Sequence, residues 1–190
     1  MAATRSSPVG AGMVAGGSFA AAVFDAVVDR LAQRADVVAL FTETGCSFEG
    51  WCAWEALAAC RAAGWAVRPQ PPYAGSGVAG SRDLADLSVF DPATGRNVLV
   101  EMTVVHDWTT NKWIDQLDSD TQRLTRAAAA GTAGLQMILA VSLASPIEVN
   151  PKWLSWLAMC RIWKGPTGMK RCFPLGPVGE LLARGWVITA

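Results

Sequence analysis

The chain has one histidine, His106, and only four lysines among 190 residues. Its five cysteines, at positions 46, 52, 60, 160 and 172, are odd in number and form no Cys-x-x-Cys pair. This argues against a zinc site built from clustered Cys and His, and reduced, buried thiols in a cytoplasmic protein are the expectation. Net charge is missing too. Sixteen basic residues cancel sixteen acidic ones, so no global field steers a charged partner, and any nucleic-acid contact must come from a local patch. No apolar run reaches the roughly 18 residues of a membrane helix. Glycines and Asp25 interrupt the stretch after the early arginine, which argues against a secretory signal.

What is present is apolar bulk. Hydrophobic residues make up 52% and charged residues 17%, which excludes disorder of the whole chain and supports one domain with a substantial core. Nine tryptophans are many for this length; they suit a core, an oligomer interface or stacking on bases.

Residues 1–17, rich in Ala, Gly and Ser, read as a flexible arm, and 18–190 as a single domain. Ser18 is placed to cap a helix whose apolar positions Ala22, Phe24, Val27, Val28 and Leu31 recur at helical spacing. Asp36 to Phe41 either continues it or forms a short strand. A second helix is expected from Ser47 to about Ala63, ended by Gly64, then a short strand Trp65–Arg68. The Pro/Gly-rich stretch 69–80 is a loop. Strands are expected at Leu84–Phe90 and Asn97–Val105, joined by the turn Asp91-Pro-Ala-Thr-Gly-Arg96. A helix from about Asn111 to Ala130 leads to the apolar run Leu135–Ala144, suited to a buried strand. The remainder reads as a helix Pro151–Trp163, a Gly/Pro loop, a helix Val178–Arg184 and a strand Trp186–Thr189. From Phe48 to Ala144 the order is thus αβββαβ, a mixed sheet covered by helices in an α/β fold.

Three acids stand at informative places in that order: Glu55 on the second helix, Asp86 and Glu101 on the two hairpin strands. The turn sets residues 86 and 101 opposite each other to within about one step, and opposed side chains have Cβ atoms about 5 Å apart. Two carboxylates held so close repel, and a shared divalent cation relieves the repulsion. Oxygen donors with few histidines favour Mg²⁺ or Mn²⁺ over zinc.

Asp86, then fourteen residues, then Glu101-Met102-Thr103 on the next strand resembles the signature of the PD-(D/E)XK nuclease superfamily. The αβββαβ order matches the core of these restriction-endonuclease-like proteins over residues 48–144. The segment from Trp54 to Arg68 resembles the opening of Holliday-junction-resolvase-like members, Glu55 the extra acid many members carry, and Gln116 the glutamine of the recombination-nuclease branch. The resemblance implies a metal-dependent endonuclease acting on DNA, possible as a homodimer and with no membrane partner. It implies a metal held by Glu55, Asp86, Glu101 and the Met102 carbonyl. Where the family has its motif lysine this chain has Thr103, which supplies no positive charge. Lys112 is the nearest substitute; Lys112, Gln116 and Asp120 recur at i, i+4, i+8 on one helix face. The catalytic set implied is Asp86, Glu101, Thr103, Lys112 and Gln116.

Other features are weaker. Residues 75–80 spell G-x-G-x-x-G, but prolines precede it and a strand follows where a dinucleotide site needs a helix. His106-Asp107 has the makings of a base with its orienting carboxylate; Ser88 with His106 completes no triad. Arg82, beside the glycine loop, and the basic stretch Lys164, Lys170 and Arg171 are the candidates for phosphate contacts. Two other readings stay open: a nuclease-like fold that lost catalysis and serves as a binding or assembly module, and a nuclease toxin domain.

Overall fold

The computed structural model describes residues 15–76, 78, 83–109, 112–164 and 168–190, with the side chains of 15–18 and of Lys112 outside the description. Apolar residues at helical spacing drive the first element: α1 (Ala15–Ala32) buries Ala20, Val23, Phe24, Val27 and Leu31 along one stripe. Residues 15–17, expected in the arm, belong to this helix. Residues 1–14 of the arm lie outside the described residues. The ambiguous stretch after it is α2 (Ala35–Thr44), closed by Gly45 in the left-handed region. Next comes α3 (Glu49–Ala62), whose first residue follows Phe48; no side chain caps it.

Among the described residues, six strands form one sheet: β1 (Ala66–Pro69), β2 (Leu87–Asp91), β3 (Arg96–His106), β4 (Ala133–Ser142), β5 (Met169–Leu175) and β6 (Gly179–Ile188). Their order across the sheet is β1-β2-β3-β4-β6-β5. β3 and β4 run parallel, and every other neighbouring pair is antiparallel. The parallel step is made by α4 (Lys112–Ala129), and α5 (Pro151–Ala158) follows β4. Asn150 caps α5, its side chain accepting from the Lys152 amide, with Pro151 in the first turn.

Helices cover both faces of the sheet. Alternation along β3 assigns them: Val98, Val100, Met102 and Val104 pack with α1 and α3, whereas Leu99 and Val105 pack on the side of α4 and α5. The central strand β4 is buried on both faces from Gly134 to Ser142, as a strand between two helical layers must be. Among the described residues, no helix is long and apolar enough to cross a membrane.

The C-terminal third departs from expectation. Residues 178–184 are not helical: Val178 ends a turn and 179–184 form the larger part of β6, which also absorbs the strand expected at its end; β5 lies where a Gly/Pro loop was expected. Short apolar runs fit either period, and here packing decides: Leu181 enters the α1 side of the core and Leu182 the α4 side. Gly179 belongs to the close approach of chains at the start of β6, since a Cβ there would sit 2.6 Å from the Leu175 and Ser142 carbonyls. The helix expected to reach Trp163 stops at Ala158, and a short 3-10 turn, Ile162–Lys164, takes over.

Candidate active site

β2 ends before β3 does. Leu87 pairs with Val100, so the second half of β3 has no strand on that side, and its amides need other acceptors. Carboxylates provide them. The Met102 N–H donates to Asp86 Oδ2 at 2.7 Å, and the Val104 N–H donates to Glu49 Oε2 at 3.1 Å. Asp86 stands just ahead of β2, and Glu49 opens α3.

Glu101, 4% exposed, stands beside Asp86, and the two carboxyls shift each other's proton affinity. The Tyr73 hydroxyl donates to Glu101 Oε1 at 2.6 Å. Tyr73 is itself fully buried, in a 3-10 turn (Tyr73–Ser76) tied down by its N–H to the Asp83 carbonyl. From α4, buried Asp120 accepts from Gln116 Nε2 at 2.8 Å and pairs with Arg123. The Arg123 guanidinium also lies 3.7 Å from Asp83 and over the Tyr73 ring. Gln136 on β4 completes the floor, its amide reaching toward the Glu101 carbonyl.

Among the described residues, Asp86, Glu101 and Asp120 thus share one guanidinium, with Glu49 nearby. The imbalance shows in their proton affinities. Burial, then the Asp86 and Asp120 charges, push Glu101 up to about 9 against the pull of Tyr73 and Arg123. Burial, opposed by the Val104 amide and aided by Asp86 and Asp120, raises Glu49 to about 7. Asp86 and Asp120 are also raised, chiefly by burial. The Tyr73 hydroxyl is driven well above its usual range by burial and the Glu101 carboxylate, which keeps it a donor. At neutral pH the Asp86–Glu101 pair therefore keeps a proton that a divalent cation would replace.

Two observations bear on such a cation. The donors are all oxygens, the chemistry a hard ion prefers, and Thr103, 3% exposed, buries a hydroxyl without a partner two residues beyond Glu101 on the same face of β3. Among the described residues, however, no three His, Cys, Asp or Glu side chains are gathered into a ready-made metal group. The carboxyls of Asp86 and Glu101, with the Met102 carbonyl emerging on the edge its N–H faces, fit an ion that completes its shell with water and substrate.

Of the residues chosen from sequence, Asp86, Glu101, Met102 and Thr103 come together, and Gln116 reaches the group through Asp120. Glu55 does not. Its carboxylate pairs with Arg30 at 2.6 Å and Arg34 at 3.7 Å, clamping α3 to α1; the helix acid at the site is Glu49. Lys112 begins α4, but the role expected of its side chain lies outside the described residues, as does Arg82. Lys170 and Arg171 sit on β5, separated from β3 by β4 and β6, and are engaged by Glu148 and by Asp25 and Asp29. Lys164 is exposed in the 3-10 turn after α5. The expected phosphate-binding stretch thus lies across the sheet from the acids, with two of its cations neutralised. His106 and Asp107 do not form a catalytic pair: His106 is buried and stacks on Phe48 at 5.7 Å, and Asp107 accepts from the Ser142 hydroxyl and the Leu143 amide.

Sequence reasoning missed Glu49, Tyr73, Arg123 and Gln136. Arg123 was within reach: it lies at i+3 from Asp120, extending the polar face begun by Gln116. Glu49 carried a weaker sign, an acid in the first turn of a helix. Tyr73 is the chain's one tyrosine, hidden in a loop without periodicity. No family model, curated protein or solved structure matches this chain.

Proposed function

We propose that this protein is a metal-dependent phosphodiester hydrolase acting on DNA, an endonuclease of the PD-(D/E)XK kind. The observation that carries the reading is the placement of Asp86, just ahead of β2 and accepting from the Met102 N–H, beside Glu101 on the unpaired half of β3, inside an αβββαβ succession of elements. Asp86, Glu101 and the Met102 carbonyl would hold Mg²⁺ or Mn²⁺, with Glu49 close enough to bind through water. When bound, such an ion acidifies a water molecule and neutralises charge developing on a phosphate.

The chain's own residues have distinct duties. Tyr73 fixes the Glu101 carboxyl through one hydrogen bond, leaving the second oxygen for the ion. Thr103 offers a buried hydroxyl to a water or phosphate oxygen. Arg123 is the cation at the site, near enough to lower the proton affinity of Asp86, Glu101 and Asp120 alike, and so stands in part for the motif lysine. Gln116, exposed at the rim, would position phosphate or water. Lys112, one helical turn ahead of Gln116, is the second candidate for the missing positive charge. Five free thiols fit a reducing, cytoplasmic setting.

The test is cleavage of supercoiled plasmid and of single-stranded DNA in Mg²⁺ or Mn²⁺ by wild type, Asp86→Ala and Glu101→Ala. Cleavage by wild type alone is expected; cleavage that survives both substitutions removes the reading. A second reading, a binding or assembly module without catalysis, is favoured by Thr103 at the lysine position. It predicts metal-independent binding of nucleic acid and no cleavage of supercoiled, branched or single-stranded substrates.

A further inference from the structure

On the α3 side of Asp86 the surface opens into a cleft of about 190 Å³. Its walls are Gly50, Trp54 and Leu57 of α3, Gln70 beyond β1, and Asp86 itself. Trp54 is 64% exposed, a position it shares with Trp108 at 67%, whereas Trp153 and Trp186 are buried. Neither core packing nor a hydrogen bond accounts for it. Gly50, one turn earlier on α3, leaves the cleft clear, since a Cβ there would meet nothing within 4 Å. At the far wall Gln70 adopts φ 46°, a left-handed conformation that a side-chain-bearing residue rarely takes, and its N–H is tied to the Asp86 carbonyl at 3.0 Å. The strained residue and the acid are thus one unit, holding an amide side chain at the rim.

We infer that this cleft receives an unpaired nucleobase adjoining the phosphate at Asp86, so that the substrate is a single-stranded or splayed nucleic acid rather than intact duplex. The inference rests on the hydrolase reading, because Asp86 forms a wall of the cleft and places any occupant next to the reacting phosphate. Size selects the occupant: the opening is below the range of about 300–1,000 Å³ that holds a drug-sized ligand, and suits one flat ring system. Chemistry selects it as well. An exposed indole offers a π-face that any base can stack on, and the Gln70 amide offers one donor and one acceptor group to a base edge. A base held inside a duplex presents its faces to its neighbours and cannot enter.

The test uses the full chain carrying Glu101→Gln, which stops cleavage and leaves the cleft untouched, and a single-stranded oligodeoxynucleotide bearing 2-aminopurine, with Mg²⁺ present. Binding should quench the aminopurine, and adding Trp54→Ala should weaken binding by about tenfold and abolish the quench. Trp54→Phe should restore most of both, while binding of the corresponding duplex should be indifferent to either change. Equal affinity and quenching with Trp54→Ala would overturn the subsite. So would a change in oligomeric state with oligonucleotide binding unchanged, which would assign Trp54 to self-association. If plasmid cleavage depends on Asp86 and Glu101 but single-strand cleavage ignores Trp54, the subsite falls and the hydrolase reading stands. If no nucleic acid is bound or cut, both fall.

Discussion

The two halves of β3 obey different rules although they are one strand. From Val98 to Val100 it is flanked by β2 and β4, its amides close ladders on both sides, and its side chains are those of a core. From Glu101 to His106 only β4 continues. There the amides of Met102 and Val104 turn to carboxylates, and polar side chains gather that no ladder would need. A single shortened neighbour converts a structural strand into a site. The lesson is that an interrupted ladder creates an obligation for acceptors, and acids that meet it are brought closer together than their charges favour.

The contrast can be broken from either half. Glu101→Gln or Asp86→Asn should lower Mg²⁺-dependent cleavage by about 10³-fold, the scale of losing a principal electrostatic group at a transition state, with far-ultraviolet circular dichroism unchanged. Leu99→Ala, in the paired half, should do the opposite. It should cost about 2–5 kcal/mol in denaturant unfolding while the folded fraction keeps its turnover; a loss of turnover without a loss of stability would merge the two halves. Next in size, Mn²⁺ at a hundredfold excess over its dissociation constant should stabilise the wild type by about 2.7 kcal/mol at pH 8. The shift in Tm should be smaller at pH 5, and absent in Asp86→Asn.

Proton linkage sharpens the same contrast. The folded-state values of Glu101, at about 9, and Glu49, at about 7, both exceed 4.5. The folded state therefore binds more protons than the unfolded one across that interval, and stability falls as pH rises. The contribution is whole below about pH 4.5, and is lost by about pH 7 for Glu49 and about pH 9 for Glu101. Without divalent ions, denaturant midpoints should decline from pH 5 to pH 9, and Glu101→Gln should flatten the upper part of that slope; a flat wild-type profile would contradict the crowding of acids. The smallest effect belongs to the far edge of the sheet. Lys170→Ala and Arg171→Ala break exposed ion pairs and should change stability by no more than about 1 kcal/mol, with nucleic-acid affinity and its salt dependence unaltered.

Legibility followed physical range. The hairpin register was readable because the turn residues and the alternation of Leu87, Val89, Val98 and Val100 are local, and that register is what sets Asp86 beside Glu101. Glu55 misled because its position in the order of elements was right while its helix face was wrong: Arg30 and Arg34, about 20 residues earlier, turn it toward α1. The strand nature of residues 179–185 was invisible for a related reason. Leu181-Leu182-Ala183 carries no period of its own, and its two faces acquire meaning only between α1 and the tryptophans near α5.

By itself the sequence determined the succession of helices and strands from Phe48 to Ala144, the α/β class, and the closeness of two acids across a hairpin, because periodicity, turn chemistry and strand pairing act between near neighbours in the chain. Tertiary structure alone decided which acid of α3 reaches that pair, that Tyr73 and Arg123 join it, and that the basic residues of β5 stand elsewhere. Those outcomes depend on how elements rotate and stack, and burial, which raises the proton affinities of the acids, exists only once they have done so.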